Sequence, residues 1–312
     1  MGGSQSVANP APVFNRAYPH FKHFIEVGPG LWNYNTDFYV AKVINIHTHM
    51  SVAELSNGNM VAIDAAKLSK AAKAELDELT ANGDKLVACL NTHPFHTVAI
   101  PAFHAAYPAT EKRRYIGCPR HIRKITEDAA GAKINWSANF LDADVLNAFS
   151  PDLEMRIPDG AEFDDPKPPS KNHFSNVFVF HPKSKTVVQD DTVMYIRDGS
   201  VVMRAAGLSP GTMKFHTTLT NCGLYKTKEA PLQFMSWFEK LLADWDFEHL
   251  ISAHTGPCYT VGKEKAKAMF EEAKPILKEL SEKNAQEASN PKQACEKPVE
   301  KSGSDDGNCE CG

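Results

Sequence analysis

Leu86-Val87-Ala88-Cys89-Leu90-Asn91-Thr92-His93-Pro94-Phe95-His96 decides how this chain folds. Leu86 to Leu90 is an unbroken apolar run, the mark of a strand buried on both faces. The run breaks at Asn91 into a polar turn that carries two imidazoles, His93 and His96. After Pro101 the residues Ala102 to Tyr107 read as a short helix, closed by Pro108. A buried strand that delivers histidines at its end, just before a helix, holds them where a metal ion can be bound.

Working outward, Met50 to Leu55 and Met60 to Asp64 read as two strands joined by the turn Ser56-Asn57-Gly58-Asn59. Phe38-Tyr39-Val40 and Val43-Ile44-Asn45-Ile46 read as strand, and Phe14, Tyr18, Phe21, Phe24 and Trp32 give an aromatic-rich lead into the core. Leu68, Ala72, Leu76 and Leu79 fall at helical spacing, and Gly83 stops that helix. Downstream, Tyr115 to Pro119, Val177 to Phe180 and Thr186 to Gln189 are further buried strands. Residues 231–243 form an amphipathic helix around Leu232, Met235, Trp237, Phe238, Leu241 and Leu242. His249 to His254 is strand then loop, and residues 262–283 a last helix interrupted at Pro275.

This order predicts an α/β (α+β) chain with two sheets packed face to face and helices outside, a four-layer αββα sandwich. The expected organisation is a flexible segment over 1–20, the sandwich over 21–284 and a disordered polar tail over 285–312.

Composition bounds the function. The 312 residues are 42% hydrophobic with a formal net charge of −4, which supplies no basic field for nucleic acid. No apolar run is long enough for a spanning helix, and the first residues lack a secretory pattern. Seven cysteines, an odd number whose first four lack paired spacing, point to a reducing, cytoplasmic setting. Cys309-Glu310-Cys311 reads as part of a solvated tail. Met1-Gly2-Gly3-Ser4-Gln5-Ser6 matches the pattern for myristoylation of Gly2, and equally a small-residue start. One such chain gives peripheral, reversible membrane contact only.

The chemistry-bearing residues are His93, His96, His173, Asp191 and His254, each at or beside a buried strand. The segment from Asn91 to His96 resembles the metal-binding turn of the metallo-β-lactamase superfamily, H-x-H-x-D-H followed by a helix. His96 falls at the last histidine and His93 at the second. Asn91 takes the place of the first histidine, and Phe95 that of the carboxylate. Met60 to Asp64 resembles the superfamily's early strand ending in Asp. His173 lies where its next histidine belongs, Asp191 where the bridging Asp belongs, and His254 in its final loop. The likeness spans about residues 30 to 260. It is most similar to a branch with an incomplete motif, in which Asn91 to His96 and Phe180-His181-Pro182-Lys183-Ser184-Lys185-Thr186 stand for the branch's own segments.

The resemblance implies a metal-dependent hydrolase-like protein with a partly eroded site, one divalent ion, and a metal-bound water as nucleophile toward a small molecule. Zn²⁺ comes first, with Fe or Mn²⁺ as alternatives. Asp191 and His96 are the residues expected to act in catalysis. The competing reading is a non-catalytic binding or scaffold protein that kept the fold, tethered through Gly2. Phe95 favours the scaffold; the retained ligand-type residues favour the enzyme. His104, His121, His181, His216 and His249 read as surface or core histidines, and the pair His47 and His49 as structural.

Overall fold

The computed structural model describes residues 22–40, 44–197, 209–254, 256 and 260–289. The expected N-terminal segment 1–20 and the part of the expected tail over 290–312, with Gly2 and the cysteine pair near the C-terminus, lie outside the described residues.

One sheet has seven strands: β1 (Phe24–Gly28), β2 (Leu31–Thr36), β5 (Thr48–Glu54), β6 (Met60–Ile63), β7 (Leu86–Asn91), β8 (Arg114–Gly117) and β9 (Ala138–Asn139), in that spatial order. Strands β3 (Tyr39–Val40) and β4 (Ile44–Asn45) form a separate small hairpin. From β1 to β6 the pairing is antiparallel; from β6 to β9 it is parallel. A second sheet holds β10 (Glu154–Arg156), β11 (Phe178–His181), β12 (Thr186–Val188) and β15 (His249–Ile251), with β12 and β15 parallel. The hairpin of β13 (Val193–Tyr195) and β14 (Met213–Phe215) stands apart.

The layers follow from period-two alternation along these strands. In β6, Val61 and Ile63 join one buried cluster while Met60 and Ala62 join another. The first cluster, with Leu90, Ile116, Val179, Val188 and Ile251, fills the space between the two sheets. The second packs the far face of the large sheet against α1 (Lys70–Leu79) through Ala72 and Leu76, and against α2 (Ile100–Ala106) through Phe103. A third packs Phe178, Phe180, Val187 and Leu250 of the small sheet against α4 (Glu229–Asp244) and α5 (Gly262–Ser289). Three apolar interfaces separate four layers, so the αββα sandwich is the architecture found. The short α3 (Pro119–Lys124) follows β8.

Two local expectations change. Phe24 and Trp32 of the aromatic-rich lead sit on a hairpin, β1 and β2, turned at Gly30 with φ +76°, while Phe14, Tyr18 and Phe21 lie outside the described residues. The last helix runs without a break through Pro275 and on past Asn284 to Ser289. Proline removes one N–H from the ladder, but Met269, Phe270, Ala273 and Leu277 are buried on either side of it and hold the helix to the core.

The site lies where strands end. Asp64 follows β6, His93 and His96 follow β7, Asp191 follows β12 and His254 follows β15. In open sheets the ends of parallel strands deliver loops to one edge, the usual place for a ligand site. His49 belongs to the same edge because β5 is antiparallel to β6 and begins there.

Candidate metal centre

The five residues singled out in the sequence meet at this edge. His93, His173 and Asp191 form one group of metal-ligand atoms; His96, Asp191 and His254 form a second. In each group the ligand atoms lie within 4.8 Å of one another, and Asp191 belongs to both. His49, Asp64 and Asp190 form a third such group.

His96 sits between two carboxylates. Its Nδ1 is 3.4 Å from Asp190 Oδ1, and its Nε2 is 3.5 Å from Asp191 Oδ2. Burial opposes its charged form, but Asp190 and Asp191 overcome that and hold its pKa well above the usual imidazole value. His254 donates its Nδ1 proton to the main-chain carbonyl of His47 at 2.5 Å, so its Nε2 faces Asp191 Oδ1 at 3.6 Å. Burial lowers the His254 pKa, which keeps the ring neutral and its lone pair on Nε2.

His93 is held differently. Its Nδ1 accepts the Phe95 amide at 3.2 Å, while its Nε2 lies 3.2 Å from the His173 carbonyl oxygen and 3.3 Å from Asp191 Oδ2. That pattern puts the single proton of the neutral ring on Nε2, and burial depresses the pKa further. His173 stacks against Phe95 at 4.5 Å between ring centroids and is itself held neutral by burial.

The two aspartates of the Asp190-Asp191 doublet are both buried. Burial alone would raise them. His96 and His49 draw Asp190 well below the usual carboxylate range, and His254, His93 and His96 do the same for Asp191. Asp64 goes the other way, raised by burial and by Asp190. The Thr92 hydroxyl touches both: 2.8 Å from Asp64 Oδ2 and 2.7 Å from Asp190 Oδ2. A hydroxyl donates only once. Thr92 thus bridges the two carboxylates, and its backbone N–H adds a bond to Asp64 Oδ1 at 2.7 Å.

The positions that depart from the motif are also defined. Phe95 is buried, with the Arg120 guanidinium 4.7 Å from its ring centroid. The Phe95 ring thus lies between His173 and that cation. Asn91 is buried, and its Nδ2 makes no hydrogen bond. A groove lined by Phe38, Thr48, Lys67, Val98 and Ala99 reaches His49 and His96.

The reading of His49 as merely structural is corrected: its Nε2 lies 3.3 Å from Asp190 Oδ1, inside the site. In the sequence its partner Asp190 shows only as half of an acidic doublet, and His49 as half of His47-Thr48-His49. Residues i and i+2 of a strand share a face, but His47 precedes β5 with φ 61°, so the pair splits. His104, by contrast, is a buried partner of Asp128 at 2.9 Å, and His181 bonds Ser184, in keeping with core roles.

Solved metallo-β-lactamases resemble this chain. One from Erythrobacter litoralis has 15% identity over 80% of this chain and 96% of its own, with a TM-score of 0.49. One from Pontibacter korlensis has 13% identity over 80% of this chain and 98% of its own, also at 0.49. One from Hirschia baltica has 13% identity over 80% and 97%, at 0.49. No protein-family model matches the chain, and no curated protein matches it. These likenesses bear on the fold alone, whose layer order is metallo-β-lactamase-like.

Proposed function

We propose that this protein is a metal-dependent hydrolase-like protein that holds one divalent ion, Zn²⁺ first, on His96, Asp191 and His254. One observation carries this reading: His96 Nε2 is buried, makes no hydrogen bond, and faces Asp191. An imidazole nitrogen that meets a buried carboxylate only across a 3.5 Å ion pair, without a hydrogen bond, leaves both groups short of full satisfaction unless something fills the gap. The donor set of two imidazoles and a carboxylate suits Zn²⁺, with Fe or Mn²⁺ as alternatives. Both histidines have their Nδ1 directed to an acceptor, Asp190 for His96 and the His47 carbonyl for His254. That outer arrangement fixes which nitrogen faces the ion.

The other triad fits an ion less well. His93 Nδ1 is occupied by the Phe95 amide and its Nε2 proton by acceptors. The site is therefore read as partly eroded, with one ion rather than two. When bound, the ion supplies Lewis acidity and lowers the pKa of water for attack on an ester, amide or phosphoester. The chain's part is to hold that ion, to keep Asp191 ionised beside it, and to admit a small molecule along the groove, its apolar part against Phe38 and Val98.

A second reading, a scaffold without catalysis, is favoured by one observation: Phe95 and Arg120 fill the place of a ligand. Metal analysis of protein purified without chelator separates the two. Near one ion per chain, lost in Asp191→Asn, supports the hydrolase-like reading; no metal supports the scaffold. Among the described residues no helix is long and apolar enough to cross a membrane. A cytoplasmic location, with peripheral membrane contact through a myristoylated Gly2, completes the proposal.

A further inference from the structure

We propose that His49 is a positioning residue for this centre, acting on His96 through Asp190. The inference rests on the reading that His96 holds the ion. It begins at Asn33 on β2, whose side chain is fully buried. Asn33 Oδ1 accepts the Asn35 amide at 2.5 Å. Its Nδ2 lies 3.1 Å from the Met50 carbonyl, 3.0 Å from Ser51 Oγ and 3.3 Å from His49 Nδ1. The Asn35 contact decides which end of the Asn33 amide is oxygen, so the end facing His49 Nδ1 is a nitrogen that cannot accept, its two protons shared among these three contacts.

That sets the tautomer of His49. With a non-acceptor beside Nδ1 and a carboxylate oxygen beside Nε2, the ring proton sits on Nε2, 3.3 Å from Asp190 Oδ1. The same Asp190 oxygen lies 3.4 Å from His96 Nδ1, while Oδ2 takes the Thr92 hydroxyl. Asp190 is thereby held from two sides, and its remaining direction is His96. A carboxylate fixed this way keeps the His96 Nδ1–H toward it and the Nε2 toward Asp191 and His254. Without His49, Asp190 loses a donor in a fully buried setting and turns toward Thr92 and Asp64, releasing His96.

The experiment compares His49→Gln, whose amide nitrogen reproduces a donor at the Nε2 position, with His49→Asn, which is polar but too short to reach Asp190. Two readouts are taken. The first is the downfield imidazole N–H proton spectrum of metal-free protein. Wild type and His49→Gln are expected to show a protected His96 Nδ1–H resonance that His49→Asn lacks. The second is Zn²⁺ affinity by chelator competition. It is expected to fall about 10- to 100-fold in His49→Asn, the usual loss for an outer-shell partner, and to return within a few-fold of wild type in His49→Gln. A wild-type spectrum without a protected His96 Nδ1–H overturns the proposal, as does a His49→Asn protein with wild-type Zn²⁺ affinity or a His49→Gln protein no better than His49→Asn. If wild type binds no Zn²⁺ the metal reading fails, while the His96 resonance still decides the role of His49.

Discussion

His254 donates its Nδ1 proton to the carbonyl oxygen of His47 across 2.5 Å, linking the loop after β15 to the turn before β5. The carbonyl points that way because His47 adopts a left-handed backbone with φ 61°. A β-branched side chain resists that conformation by about 1–2 kcal/mol, whereas glycine does not. His47→Val is expected to be less stable than His47→Gly by about that amount in urea unfolding, with weaker Zn²⁺ binding as His254 loses its fixed tautomer.

Asp191 is the one carboxylate common to both candidate triads. Asp191→Asn keeps its shape and removes its charge, and neutral imidazoles alone are poor competitors for a divalent ion. Metal content by elemental analysis is expected to fall to background while the circular dichroism spectrum stays that of wild type. Retained metal in a folded variant would sink the assignment.

Metal affinity should depend on pH with a defined sign. The His96 pKa is raised in the fold by Asp190 and Asp191, against burial. A raised value means that protonated His96 stabilises the metal-free fold below about pH 6.5, the usual imidazole value, and that this contribution is lost as pH rises through the folded pKa. An ion needs the Nε2 lone pair and so displaces the proton. Zn²⁺ affinity is expected to rise by up to about tenfold per pH unit as pH climbs toward the raised folded pKa of His96, and to level off above it. Calorimetry in buffers of different ionisation heat should register about one proton released per ion.

Thr92 joins two buried carboxylates, and no other hydroxyl touches both among the described residues. Thr92→Val keeps the volume and removes the hydrogen bonds. Leaving buried acceptors unsatisfied costs about 1–3 kcal/mol, more when one is charged. Thermal unfolding should show Thr92→Val destabilised by about 2–3 kcal/mol or more, with Thr92→Ser close to wild type.

Phe234 anchors the outer layer of the small sheet. It is fully buried and meets Phe174 and Phe215 edge-on at 5.3 Å each, with Trp237 stacked at 5.8 Å. Phe234→Ala is expected to lose about 3–5 kcal/mol in denaturant unfolding, without moving the Zn²⁺ affinity of the folded fraction, because none of the ligand residues belongs to that cluster.

Part of this is legible in the chain itself. The apolar run Leu86 to Leu90, the Asn57-Gly58 turn and the helical spacing of Ala72 and Leu76 are local signals, and they set the strands, the hairpin and the sandwich they build. The order of His93, His96, His173, Asp191 and His254 along the chain marks the ends of those strands, which the fold brings to one edge. Helix α5 beyond Pro275 is not legible, because local proline chemistry argues for a break and only burial of Phe270, Ala273 and Leu277 outweighs it.

The sequence by itself therefore determined the strands and helices that build the layers, which follow from periodicity a few residues long, while the site residues were marked by their order along the chain and the resemblance it carries. The tertiary structure alone decided that His49 meets Asp190 across 141 positions, that Thr92 lies between Asp64 and Asp190, and that His96 rather than His93 faces Asp191 with a nitrogen that makes no hydrogen bond. The physical reason is that a ring's tautomer and a carboxylate's charge are fixed by neighbours from other strands. Those neighbours are set by strand register and by the approach of two sheets, neither of which any single segment encodes.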